Sequence, residues 1–236
     1  MIKLKDLTVS YGNKRIFDDF SGELKFKNLN VLMGKNGIGK STLLDVISGL
    51  KKVDKGIVEN VPNSNRIMYM FQSIPFNTNV TVTQLINMYK SFGKVTSFEE
   101  YKINGMDKFF RENILPLANM YLGDLSGGER KLVFTYASAM VLKSLYIFDE
   151  PLSGVDIENR QKIVELLEKL GLHVGVIVTT HELEPFKETN STLKYISKDR
   201  FIFSGSYEEL TQKYGNSPEK AFLALTDEMR KKDEKY

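Results

Sequence analysis

One glycine-rich loop limits what this chain can fold into more than any other feature. Gly34-Lys35-Asn36-Gly37-Ile38-Gly39-Lys40-Ser41 fits the pattern GxxxxGK(S/T), with the apolar run Asn30 to Met33 before it. After it, Leu43, Leu44, Val46, Ile47 and Leu50 fall on one face at helical spacing, a face suited to packing on a sheet. Strand, loop and helix are the context the pattern requires. Its glycines let successive backbone N–H groups turn inward around phosphate oxygens, and the helix start adds a positive dipole. Lys40 then reaches the outer phosphates and the Ser41 hydroxyl can ligate Mg2+, so the loop fits a nucleoside triphosphate. A chance match in a chain of this length is expected on the order of 1% of the time.

Short β-rich runs at 2–10, 29–33, 66–71, 145–148 and 174–180 alternate with helical patterns at 41–50, 82–91, 127–143 and 157–170. Such alternation predicts a layered α/β fold with a largely parallel sheet. Between about 73 and 143 the strand signal fades while Phe and Tyr recur among polar residues and Pro116 and Gly123 interrupt, which reads as a helical subdomain. Leu193 to Ile196 and Arg200 to Phe203 flank Ser197-Lys198-Asp199 and predict a short hairpin; the tail Lys231 to Lys235 reads as a solvated, frayed helix end.

The 236 residues suit one domain with a smaller subdomain attached, and 42% apolar with 27% charged residues excludes a mostly disordered or fibrous chain. A net charge of +3, from 33 basic and 30 acidic side chains, is too balanced to mark a nucleic-acid binder. With no cysteine and two histidines, His173 and His181, disulfides, thiol chemistry and cysteine-ligated zinc are excluded, and cytoplasmic residence is expected. The longest apolar runs, such as Ile67 to Phe71 and Ala221 to Leu225, fall far short of the roughly 20 residues of a spanning helix, and MIKLKDLTVSYG lacks a signal-peptide core.

Leu145 to Phe148 is an apolar strand ending in Asp149-Glu150-Pro151. Because neighbouring strand residues point to opposite sides unless the strand has ended, the two acids can do different jobs. Asp149 suits a hold on magnesium, and Glu150 the orientation or deprotonation of an attacking water. Leu125-Ser126-Gly127-Gly128-Glu129 contains an S-x-x-E capping box; alone it would be only a helix start, but two glycines directly after the cap leave N–H groups open to an anion.

With these motifs the chain resembles the nucleotide-binding subunits of ABC transporters from Ile2 to about Gly205. Leu125 to Glu129 is similar to their LSGGQ signature with Glu129 for Gln, GKNGIGKS to their phosphate loop, and LYIFDEP to their second acidic strand. In family order stand Tyr11 as the adenine-stacking aromatic, Phe71-Gln72 as the Q-loop, Ser153-Gly154-Val155-Asp156 as the D-loop, and Thr180-His181 as the switch histidine. The resemblance implies a P-loop NTPase core with a mostly parallel sheet and an antiparallel β subdomain over 1–72 and 144–236, and an inserted α-helical subdomain over 73–143. It implies nucleotide contacts from Tyr11 and from Gly34, Lys35, Asn36, Gly37, Ile38, Gly39, Lys40, Ser41 and Thr42. Mg2+ would be held by Ser41, Gln72 and Asp149, with Glu150 and His181 catalytic. Ser126, Gly127, Gly128 and Glu129 would complete a partner's ATP site, and Asp156 would serve communication between sites. SGVD stands where the family commonly has SALD, which puts no assigned role in doubt.

The implied protein is an ATP-hydrolysing subunit, a homodimer or a heterodimer with a second ABC subunit. It would lie on the inner face of the cell membrane against a separate integral membrane permease and bind no nucleic acid. A short segment between Gln72 and Ser126 resembles small bacterial exporters more than sugar importers. Two other readings stay open: a soluble ABC-type ATPase, as in iron–sulfur cluster assembly, and an ATP-sensing module without turnover, against which Glu150 and His181 speak.

Overall fold

The structure is a computed structural model that describes residues 1–92, 106–215, 220, 221, 223–225 and 227. Residues 93–105 of the expected helical subdomain and the tail Lys231 to Lys235 lie outside the described residues. The strands are β1 (Ile2–Tyr11), β2 (Lys14–Leu24), β3 (Asn28–Met33), β4 (Lys55–Glu59), β5 (Ile67–Met70), β6 (Leu145–Phe148), β7 (Gly175–Thr179), β8 (Thr192–Ile196) and β9 (Phe201–Gly205). The helices are α1 (Lys40–Ser48), α2 (Val82–Phe92), α3 (Met106–Phe109), α4 (Gly127–Ala139), α5 (Ile157–Gly171) and α6 (Tyr207–Tyr214). They form two compact units: Met1–Phe26, Asn30–Val61 and Thr179–Tyr236 in one, Lys27–Leu29 and Pro62–Val178 in the other.

The first unit contains an antiparallel sheet in the order β2-β1-β4, with Ile2 opposite Leu24 and Lys3 opposite Glu59. Leu4, Leu7, Phe17, Phe20 and Leu24 are fully buried beneath it, and Phe20 meets Phe17 at 4.9 Å and Phe201 at 5.2 Å between ring centroids. This is the antiparallel β subdomain that the resemblance implied. Neither β2 nor β4 is visible as alternation in the sequence: β4 has five residues, none buried, with a left-handed Gly56, and β2 is bulged against β1. Asp6 and Asp19 take left-handed φ values of 50° and 52°, and the β1–β2 register shifts repeatedly, so bulges destroy the period of two. In the same unit β3 pairs parallel with β8, Asn30 opposite Thr192, and β8 antiparallel with β9. The predicted hairpin forms without glycine: Ser197 N donates to Arg200 O at 2.9 Å, and Ser197 Oγ accepts from Arg200 N at 3.2 Å.

In the second unit β5, β6 and β7 run parallel, Ile67 opposite Leu145 and Leu145 opposite Gly175. Some aromatics of the helical stretch pack inward, with Phe109 and Phe110 stacked on Tyr136 of α4 at 6.1 and 5.8 Å, while Phe76, Phe92 and Tyr121 are exposed. Two helix ends differ from expectation. α1 stops at Ser48, so Leu50 leaves the apolar face and is exposed, because Gly49 turns left-handed and closes the helix. α4 stops at Ala139 rather than 143 because the residues after it are tied to the following strand. Tyr146 Oη donates to Val141 O at 2.6 Å and accepts from Lys143 N at 3.1 Å. No helix among the described residues is long and apolar enough to cross a membrane.

Tyr146 therefore fixes the strand that delivers the acidic pair. Tyr146→Phe leaves a buried carbonyl and an N–H without their partner and is expected to cost about 1–3 kcal/mol in urea denaturation with an unchanged m-value.

Candidate nucleotide site

In the first unit the phosphate loop runs from the end of β3 into α1. Gly39 is the N-cap, with φ 116° and no side-chain cap, and the first turn holds no acid. Only glycine fits there: a Cβ would lie 2.6 Å from Ile16 Cγ2 and 2.7 Å from Phe17 Cζ. Lys40 is buried, donates to Gly34 O at 3.0 Å, and stands 3.2 Å from His181 Nε2. An ammonium has only donors, so in this contact Nε2 would be the acceptor. Beside His181, Thr180 N donates to Leu32 O of β3 at 3.1 Å, and its Oγ1 accepts from Glu182 N at 3.0 Å. This unit thus joins the loop, Lys40 and His181, which lie 141 positions apart in sequence. Lys35, Ile38 and Thr42 are half-buried and Asn36, Gly37 and Ser41 exposed. Tyr11 is 47% exposed, and the Lys51 ammonium lies 4.6 Å from its ring centroid. Lys51 is a contact that no pattern in the sequence announces; its N–H donates to Asp45 O at 3.0 Å, which fixes it at the close of α1.

In the second unit the strand ends at Phe148, so the alternation expected of Asp149 and Glu150 does not apply. Asp149 N donates to Met70 O at 2.9 Å; Glu150 turns left-handed at φ 51°, and its carbonyl accepts from Ser153 N at 3.2 Å. Both acids are buried. A left-handed non-glycine residue costs roughly 1–2 kcal/mol, so the backbone around Glu150 holds it in place against a local preference. Gln72, after β5, is exposed, and its carbonyl accepts from Lys131 Nζ at 2.7 Å. Burial pushes the Lys131 ammonium below its ordinary pKa, while the charges of Asp149 and Glu150 act in the opposite direction. The 59 positions between Lys131 and Gln72 hid this contact from sequence reasoning.

The capping box at α4 forms as predicted: Ser126 Oγ accepts from Glu129 N at 3.1 Å and Glu129 Oε2 from Ser126 N at 2.8 Å. The Glu129 carboxylate is therefore turned back on its own helix start. The two glycines, expected to be open alike, differ. Gly127 is exposed, and a Cβ there would meet only Gly154 O, at 3.9 Å. Gly128 is buried, and a Cβ there would overlap Asp156 Oδ2 and come within 3.0 Å of Asn159 Nδ2. Asp156 in turn caps α5, accepting from Asn159 N at 3.0 Å and from Asn159 Nδ2 at 2.8 Å. The signature helix and the D-loop are fitted to each other at Gly128.

Residues 17–153 match the family model described as ABC transporter. The chain belongs to this ATP-binding family. It is 30% identical over 216 residues to the zinc import ATP-binding protein ZnuC of Ehrlichia ruminantium, in the Gardel and Welgevonden strains alike, covering 90% of this chain and 86% of the relative. Its fold is shared with a solved ATP-binding subunit of an ABC transporter at TM-score 0.77 and 20% identity, over 96% of this chain and 99% of the other. A nucleotide-free cassette matches at 0.73 and 22%, over 93% and 96% of the two chains. A dimeric bacterial cassette matches at 0.69 and 23%, over 87% and 98%. The ABC transporter ATP-binding domain, with its P-loop core and antiparallel sheet, is the architecture present here.

The Asp156 cap carries a pH dependence of known sign. The backbone N–H of Asn159, and then its side-chain amide, hold the Asp156 carboxyl below the usual carboxylate range. A folded pKa below the unfolded one contributes stability above the unfolded value of about 4, and that contribution is lost as pH falls through the folded value. Asp156→Ala should therefore lower the urea midpoint at pH 7, and its deficit relative to the natural chain should shrink as pH is lowered through the carboxylate range.

Proposed function

We propose that this chain hydrolyses ATP to drive transport through a separate membrane permease. The observation that carries the reading is the Lys40–His181 contact of 3.2 Å beside a helix start that has no side-chain cap. There the backbone N–H groups and the Lys40 ammonium suit the outer phosphates, and His181 would contact the terminal one. Tyr11, its other face backed by the Lys51 cation, offers a flat surface for the adenine.

Ser41, Gln72 and Asp149 supply hydroxyl, amide and carboxylate oxygens, the hard donors that Mg2+ takes. An ion held by these three would complete its shell with phosphates and water. When bound it neutralises charge on the phosphates. Glu150, held left-handed and buried at the end of β6, orients or deprotonates the attacking water.

With one phosphate loop and one signature loop per chain, Ser126, Gly127 and Glu129 serve the ATP of a second subunit, and Gly128 seats Asp156 beside them. A homodimer or a heterodimer satisfies this arrangement, and one structural neighbour is described as dimeric. The complex works at the cytoplasmic face, against the permease. The short segment between Gln72 and Ser126 suggested export; that direction lacks support, since relatives with 30% identity are named for import, and import is the direction we propose. The same names favour transport over a role in cluster assembly.

Glu150→Gln keeps the shape and removes the base. ATP binding should persist while turnover falls by roughly 10²-fold or more in a phosphate-release assay; turnover equal to that of the natural chain would reject Glu150 as the catalytic carboxylate.

A further inference from the structure

The segment from Gln72 to Phe76 follows β5 without regular hydrogen-bonded structure, so its position depends on what side chains hold it. Two adjacent cations of α4 do so, at opposite ends. Lys131 Nζ donates to Gln72 O at 2.7 Å, and the Arg130 guanidinium lies 4.5 Å from the Phe76 ring centroid. Arg130 Nη2 also donates to Leu125 O at 3.1 Å, which ties the same side chain to the residue before the Ser126 cap. Phe134, one turn further along α4, meets Phe76 edge-on at 6.2 Å. Thr135 Oγ1 donates to Lys131 O at 2.8 Å and lies 3.7 Å from Met70 Sδ at the end of β5.

We propose that Arg130 and Lys131 are positioning residues that clamp the Gln72–Phe76 segment to the start of the signature helix, so that a displacement of Ser126–Glu129 displaces Gln72 of the same chain. The inference rests on the reading of Gln72 and the signature loop given above. Under that reading Gln72 serves the chain's own ATP and the signature loop the partner's, so the clamp carries the state of one ATP site to the other. A neutral side chain of the same length in place of Lys131 would keep the packing and lose both the hydrogen bond and the charge.

Two measurements on the full chain test this. In hydrogen exchange, Lys131→Met should speed exchange over residues 71–77 by about threefold or more while 132–139 keep their protection, and Arg130→Met with Lys131→Met should do so further. In ATP turnover, Lys131→Met should lower kcat about tenfold with KM for ATP within about twofold, and Lys131→Arg should restore kcat. Unchanged exchange over 71–77 in the double variant overturns the clamp. Unchanged kcat in Lys131→Met overturns its role in turnover even where exchange rises. A loss that Lys131→Arg does not restore, with 132–139 also deprotected, reduces Lys131 to a structural residue and overturns the proposal. If the natural chain and Glu150→Gln turn over ATP equally, it is the site reading that fails, and the exchange measurement, which uses no nucleotide, still decides the clamp.

Discussion

A helix begins with backbone N–H groups that have no partner within the helix, and how this chain covers them organises both units. α4, α5 and α6 start under side-chain caps from Ser126, Asp156 and Ser206. α1 does not; its N-cap is Gly39, and no acid stands in its first turn. The exception has a cause in packing. Ile16 and Phe17 of β2 press against Gly39 so closely that no side chain fits, and the β subdomain thereby keeps the α1 start bare. An anion with several oxygens can meet those groups, and Lys40 follows immediately to add a full charge.

The second half of the machinery uses strain and cations rather than bare amides. Glu150 is held in a left-handed conformation, and Asp149 extends the β5–β6 pairing by one hydrogen bond. Lys131 and Arg130 reach from the first turn of α4 to the two ends of the Gln72–Phe76 segment. At the same helix start, Gly128 admits Asp156, which is itself a helix cap, so signature loop and D-loop share one packing contact. Each of these elements is thus held by a residue outside its own motif.

That division explains what the sequence made legible. The phosphate loop, the acidic strand and the S-x-x-E cap are contiguous, and contiguous patterns survive in a linear reading. The strands β1, β3, β5, β6 and β7 showed as apolar runs for the same reason. β2 does not show because the bulge at Asp19 breaks its alternation, and β4 because its five residues include no buried one and turn left-handed at Gly56. Leu50 was misplaced because the left-handed turn at Gly49 ends α1 before it. Lys51 on Tyr11, Lys131 on Gln72 and Asp156 on Gly128 each join residues remote in sequence and of ordinary type, so nothing in the chain's order marks them. The contrast between Gly127 and Gly128 belongs to the same class: identical neighbours in sequence, one exposed and one filled by another loop.

The central claim is that a complete ATP site takes its phosphate loop from one chain and its signature loop from another. Gly127 is the place to test it, since a side chain there meets nothing closer than 3.9 Å within its own chain, and an acid in the first turn suits the helix dipole. Gly127→Asp should bind ATP as a monomer yet fail to dimerise with it, and Lys40→Ala should fail as well. Sedimentation of the two variants mixed with ATP should then show a dimer that neither forms alone, because one intact composite site can be assembled from the undamaged halves. A Gly127→Asp chain that dimerises with ATP as the natural chain does would contradict the claim.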